Sequence, residues 1–170
     1  VTAKPLRVDA NEGWKTWEEA LEQLRWLEDA GVELVEQPLP AGQPEAVSWL
    51  RERTRIPLYA DEDLRGVDDL ASVAGAYDGV NVKLMKCGGL RQARILIGAA
   101  RALGLKIMIG CMIETSVGIS AAAQIAPLAD VIDLDGSLLV ENDPFSGVVA
   151  DDGSIRLGDR PGIGVVEAGR

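Results

Sequence analysis

The sequence predicts an α/β fold, part of a parallel (β/α) barrel, on three observations. Four short apolar runs each end in a chemically active side chain: Asp9 in LRVDAN, Glu36 in ELVEQP, Asp61 in LYADED and Lys83 in VNVKLM. The steps between these residues are 27, 25 and 22, which suit one strand, one helix and two short loops apiece. The intervening stretches carry helical periodicity, as in Trp17, Ala20, Leu21, Leu24 and Leu27. Parallel strands joined by right-handed crossovers point their C-terminal ends the same way, so the four side chains are expected to converge on one mouth. A complete eight-fold barrel takes roughly 250 residues. This chain has 170, so an incomplete barrel is expected.

The elements follow in order. A strand at Leu6 to Ala10 leads through Asn11-Glu12-Gly13 to a helix near Thr16 to Ala30, stopped by Gly31. Strand Leu34 to Gln37 passes through Pro38-Leu39-Pro40 to a helix near Glu45 to Thr54, with Val47 and Leu50 inward. Strand Leu58 to Ala60 precedes a helix near Val67 to Gly75, and strand Gly79 to Leu84 turns at Cys87-Gly88-Gly89 into a helix from Arg91 to Leu103. Strand Lys106 to Gly110, an alanine-rich helix over Thr115 to Ala126 and a last strand at Val131 to Asp135 bring the count to six strands. Residues 1–136 are therefore expected to form the partial barrel domain. The pattern then changes: Asn142-Asp143-Pro144, Asp151-Asp152-Gly153 and Arg160-Pro161-Gly162 punctuate short β-prone pieces, so residues 137–170 read as a tail packing toward the barrel or a capping domain.

Composition excludes several classes of function. A net charge of −10 argues against nucleic acid or an anionic membrane as partner, and suits a cation or an amino-bearing substrate. The chain has no histidine, which removes Ser-His and Cys-His catalysis and an imidazole base, so lysine and carboxylates must carry any proton transfer. Cys87 and Cys111 lack metal-ligand spacing and a disulfide framework, and with no secretory signal at the start a cytoplasmic location is expected. The most apolar stretch, Ile95 to Ile113, is broken by Arg101, Gly104 and Lys106, and so reads as helix, turn and strand.

Mg²⁺ prefers oxygen ligands in octahedral geometry, which makes Asp9, Glu36 and Asp61 a plausible ligand set, with Glu62 an alternative to Asp61. Taken singly, Asp9 and Asp61 read as helix caps and Glu36 as a solvated loop charge; it is the set, at successive strand ends, that points to a metal. Neighbouring Asn11, Gln37 and Glu62 are placed to orient the ligands. Lys83 shares strand parity with Asn81, and a nearby cation with partial desolvation would lower its pKa toward the range of a general base. Alone it would read as a solvated charge. Asp133 and Asp135 alternate and so project to one side, suited to an ammonium, or else serve as turn-forming acids before Gly136. Glu114 in MIETS is a further substrate-binding candidate, or an early-helix acid favoured by the helix dipole.

VDANEGW, VEQPLP, ADED, NVKLMKCGG and IGCMIETSVGISAAAQIA, in this order and spacing over residues 4 to 166, resemble the C-terminal barrel of the enolase superfamily. The resemblance is to the branch holding muconate cycloisomerases, o-succinylbenzoate synthases and dipeptide epimerases. It implies a partial TIM-type (β/α)7β barrel, strands three to eight, with Asp9, Glu36 and Asp61 binding Mg²⁺ and Lys83 as one of two acid/base lysines. IDLD at Ile132 to Asp135 looks like the element with which dipeptide epimerases hold the free α-ammonium of their substrate. The implied activity is epimerisation of L-Ala-D/L-Glu-type dipeptides by removal of a proton α to a carboxylate through an enediolate; a cycloisomerase, an o-succinylbenzoate synthase-like lyase and an inactive metal-binding fragment are the alternatives. The family's Lys-x-Lys motif and capping domain are not found in the sequence. Full activity is therefore expected to need a complementing N-terminal segment, and unpaired sheet edges point to that partner or to a homo-oligomer.

Overall fold

A computed structural model describes residues 4–169. It divides into two compact units, Val1–Asn81 with Gly98–Lys106, and Val82–Ile97 with Ile107–Arg170. The boundaries between the units fall inside two strands and inside one helix.

The first unit holds β1 (Leu6–Asp9), α1 (Trp17–Asp29), β2 (Val32–Glu36), α2 (Pro44–Arg51), β3 (Leu58–Ala60), a 3₁₀ turn at Val67–Asp69, α3 (Leu70–Ala76) and the first part of β4 (Gly79–Lys83). The strands pair in parallel in the order β1-β2-β3-β4. β3, and β2 from Leu34 onward, are buried on both faces, as parallel strands covered by helices must be, and Glu36 is the one charged residue among them. Thr16 caps α1 by accepting the Glu19 N–H at 3.2 Å, and Ala20, Leu24 and Leu27 turn inward at helical spacing. Trp17, expected on that apolar face, instead stands 42% exposed at the rim. At the first position of the helix it packs edge-on against Trp49, 4.4 Å between centroids, whose ring also carries the Arg53 guanidinium at 4.0 Å. Lys106 N–H closes this unit on Asp78 O at 2.9 Å.

The second unit contains the end of β4, a one-turn helix α4 (Leu84–Cys87), and most of α5 (Leu90–Ala102), which the left-handed Gly88 and Gly89 separate from α4. Next come β5 (Lys106–Gly110), α6 (Ser116–Ala123), a 3₁₀ turn at Ala126–Leu128 and β6 (Val131–Ile132), parallel to β5. The strand expected to run to Asp135 stops after Ile132. Its ladder extends only as far as the Asp133 N–H, bonded to Ile109 O at 2.9 Å, because Asp135 drops to φ −95°, ψ −5° and opens a 3₁₀ turn at Gly136–Leu139. The tail forms two small antiparallel ladders: β7 (Phe145–Ser146) with β10 (Val166–Glu167), and β8 (Val149–Asp151) with β9 (Ser154–Arg156) around left-handed Asp152-Gly153. Among the described residues no helix is long and apolar enough to cross a membrane.

Candidate functional site

In the first unit the register decides which side chains share a face. Asp9 lies opposite Glu36, Glu36 opposite Tyr59, and Tyr59 opposite Gly79. Stepping two residues along β4 reaches Asn81, so Asp9, Glu36 and Asn81 project to the same side of the sheet, and Asp61 stands immediately past the end of β3. Glu36 and Asp61 are only 3% and 4% exposed, a costly place for two carboxylates. The Asn81 amide meets part of that cost by donating to Glu36 Oε1 at 2.7 Å. Asn81 Oδ1 and Glu62 Oε2 are nevertheless buried acceptors with no donor among the described residues. Burial raises the Glu62 pKa above its ordinary value, and the negative charges of Asp61, Asp9 and Glu12 push it in the same direction.

A buried concentration of carboxylate and amide oxygens fits a hard divalent cation in donor type and in charge. Among the described residues, however, no three Asp, Glu, Cys or His side chains are gathered into a group that could hold a metal ion. The fit therefore rests on donor chemistry and burial, not on a closed cage.

The loops after β1, β2 and β3 are tied together. Asp9 Oδ1 accepts the Asn11 N–H at 2.8 Å, so Asn11 steadies Asp9 through its backbone. Glu12 Oε1 accepts the Ala41 N–H at 2.7 Å. Gln37 is fully buried and donates to Leu39 O, Asp63 Oδ2 and Tyr77 Oη, while its own Oε1 accepts the Asp61 N–H at 3.0 Å. The Tyr77 hydroxyl in turn donates to Asp63 Oδ2 at 2.6 Å, and its pKa is raised by burial first and by Asp63 second. Asp63, Tyr77 and Glu12 escaped the sequence reading. A buried tyrosine needs a partner for its hydroxyl, and the third acid of ADED was the available hint.

In the second unit Lys83 is half-buried at the last position of β4, in extended conformation, immediately before α4. Asp133 and Asp135 are both exposed and flank buried Leu134, so the expected alternation holds although β6 has ended. They line a cavity of about 280 Å³ whose other wall is the β8–β9 hairpin, including Asp151, Asp152 and Ile155. Glu114 folds back so that Oε1 accepts the Met112 N–H at 3.1 Å, and its other oxygen occupies the space a Cβ at residue 118 would need, which is why glycine stands there. The three acids share a neighbourhood: burial raises the Cys111 thiol pKa, and the charges of Asp133, Asp135 and Glu114 add to it. This is an anionic pocket, suited to a cationic group.

Known proteins share this pattern. A family model described as "Enolase C-terminal domain-like" matches residues 1–167. An L-Ala-D/L-Glu epimerase of Bacteroides thetaiotaomicron is 47% identical over 167 residues, which is 98% of this chain and 44% of that protein. The substrate-liganded L-Ala-D/L-Glu epimerase of Bacillus subtilis superposes with a TM-score of 0.92 at 35% identity, over 100% of this chain and 49% of that one. A dipeptide epimerase of Cytophaga hutchinsonii, complexed with Mg and the dipeptide D-Ala-L-Val, gives a TM-score of 0.89 at 31% identity, over 96% of this chain and 46% of that one. The chain thus spans less than half the length of the relatives it matches.

Proposed function

The chain belongs to the enolase C-terminal domain-like family, and from that premise we propose that it carries barrel chemistry of a Mg²⁺-dependent dipeptide epimerase of the L-Ala-D/L-Glu type, as strands three to eight of a (β/α)7β barrel. The observation that carries the reading is the pair Glu36 and Asp61, nearly sealed from solvent and accompanied by two buried acceptors, Asn81 Oδ1 and Glu62 Oε2, that lack donors among the described residues. Similarity to epimerases crystallised with Mg and with dipeptides supports it.

Asp9, Glu36 and Asp61 would hold the cation, with Asn81 fixing Glu36 through its amide. A bound Mg²⁺ supplies fixed positive charge that makes the carbon next to a substrate carboxylate acidic enough to lose its proton. Lys83 takes or returns that proton on one face of the carbon. Asp133 and Asp135 bind the free α-ammonium of the dipeptide by charge-assisted hydrogen bonds, with Glu114 adding negative charge. Inversion takes a second acid/base on the opposite face, and none of these groups supplies it. A cycloisomerase or o-succinylbenzoate synthase-like lyase would share the metal and lysine roles but has no use for the paired acids of the second unit, which favours the dipeptide.

The test is α-proton exchange. The chain with Mg²⁺ and L-Ala-L-Glu in D₂O is expected to wash deuterium into the α-position, and Lys83→Ala to abolish it. Exchange that survives Lys83→Ala unchanged would remove the lysine from the mechanism.

A further inference from the structure

We propose that Gln37 is a positioning residue that locks together the loops at the strand ends where all three candidate ligands stand, and that divalent-cation affinity depends on it although its side chain is engaged elsewhere. The inference rests on the metal reading above.

Every polar group of Gln37 is committed, and the commitments run to three loops. Its backbone carbonyl accepts the Glu12 N–H at 3.0 Å, in the loop that follows Asp9. Its backbone N–H donates to Tyr59 O at 2.9 Å, across to β3. Its side-chain oxygen accepts the N–H of Asp61 at 3.0 Å and of Asp63 at 3.3 Å, fixing the turn on which Asp61 stands. Its amide nitrogen is shared among Leu39 O, Asp63 Oδ2 and Tyr77 Oη at 2.9 to 3.1 Å. The two N–H groups of Asp61 and Asp63 require an acceptor and the three oxygens require a donor, so the amide has one workable orientation.

The backbone gives an independent sign. Four non-glycine residues among those described have left-handed backbone, and three of them lie close after candidate ligands: Asn11 and Glu12 in the turn after Asp9, and Gln37 directly after Glu36. Gln37 itself sits at φ +36° with no exposed surface. Non-glycine residues keep such dihedrals only where the surroundings over-determine them, and here the surroundings are the bonds made by Gln37. Asp63 and Tyr77 brace the amide from behind: the tyrosine hydroxyl and the amide both donate to Asp63 Oδ2, and Asp63 Oδ1 accepts the Gly42 N–H at 2.7 Å.

Two variants separate positioning from mere stability. Gln37→Met keeps length and burial but drops every side-chain hydrogen bond, including the one to the Asp61 N–H. Tyr77→Phe weakens the same network while leaving Gln37 Oε1 on Asp61. Mn²⁺ binding is followed by electron paramagnetic resonance at a temperature where circular dichroism shows each protein folded, with hydrogen exchange of the Asp61 amide as a second readout. Gln37→Met is expected to weaken Mn²⁺ binding about 10- to 100-fold and to speed Asp61 exchange. Tyr77→Phe is expected to lower the melting temperature while holding Mn²⁺ affinity within about twofold, and Gln37→Glu, which keeps the acceptor, to restore part of the Asp61 protection. Equal Mn²⁺ affinity in Gln37→Met and the parent would overturn the positioning role alone. A parent chain that binds no Mn²⁺ would overturn the metal reading and this inference with it.

Discussion

Replacing Gly79 with alanine tests how tightly the floor of the carboxylate-bearing face is packed. Gly79 opens β4 directly opposite Tyr59 of β3, and a Cβ there would lie 2.5, 2.6 and 2.8 Å from three atoms of the Tyr59 ring. Ordinary carbon contacts begin near 3.5 Å, so the methyl overlaps the ring by close to an ångström. The ring is only 4% exposed, with little room to retreat. Overpacking of this kind costs about 1–3 kcal/mol. Against it stands the gain from a less flexible unfolded chain, about 0.4–1 kcal/mol for Gly→Ala where the backbone permits alanine. Gly79 does not have left-handed backbone, so that gain applies in full. The net expectation is a loss of about 1–2 kcal/mol, visible as a lower urea midpoint at unchanged slope. If the ring is the cause, Gly79→Ala and Tyr59→Leu must couple: the double variant should recover about 1 kcal/mol relative to the sum of the singles. A Gly79→Ala protein as stable as its parent, or singles that simply add, would refute the steric argument.

Two further outcomes follow from particular contacts. Glu28 Oε1 accepts from the Thr54 hydroxyl at 2.7 Å and the Arg55 N–H at 2.6 Å, and the Thr54 bond is the largest cause of its lowered pKa. A carboxyl depressed in the folded state stabilises above its unfolded pKa and loses that contribution as pH falls through the folded one. Acid titration of the melting temperature should therefore drop below about pH 4.5, the ordinary glutamate value, and Glu28→Gln should flatten that part of the profile. A parallel profile in the two proteins would count against the assignment. Replacing Asp133 and Asp135 together with alanine should weaken dipeptide binding at least about tenfold in calorimetry while leaving cation binding within about twofold, because two charge-assisted bonds are lost and no candidate metal ligand is changed. Unchanged dipeptide affinity would remove the pair from the substrate site.

Much of the fold was legible because βα repetition leaves two periods in the sequence: short β-prone runs ending in Asp9, Glu36, Asp61 and Lys83, and helical spacing between them. The helix of Ala20, Leu24 and Leu27 came through for that reason. Trp17 misled because a helical wheel records angle alone, whereas this first residue of α1 packs edge-on against Trp49 and stays 42% exposed. The end of β6 was hidden for a related reason: Asp133-Leu134-Asp135 alternates like a strand, and only the backbone of Asp135 shows that the chain has begun to turn. Asp9 and Glu36 close β1 and β2 and lie opposite one another in the register, and Asp61 directly follows β3, as the strand-end pattern suggested. What could not be read was the bracing. Glutamine is usually a surface residue, so nothing in VEQP announces that Gln37 is fully buried and joins three loops, and Tyr77 finds Asp63 across 14 positions of sequence. Long-range hydrogen bonds leave no periodic trace.

Isothermal titration of the folded chain with Mg²⁺ tests the central claim most directly. Uptake of one ion per chain is predicted, with Glu36→Gln and Asp61→Asn each weakening binding about tenfold or more, because each removes a negative oxygen donor from a buried site. No heat of binding in the parent, or identical isotherms in the parent and both variants, would contradict it.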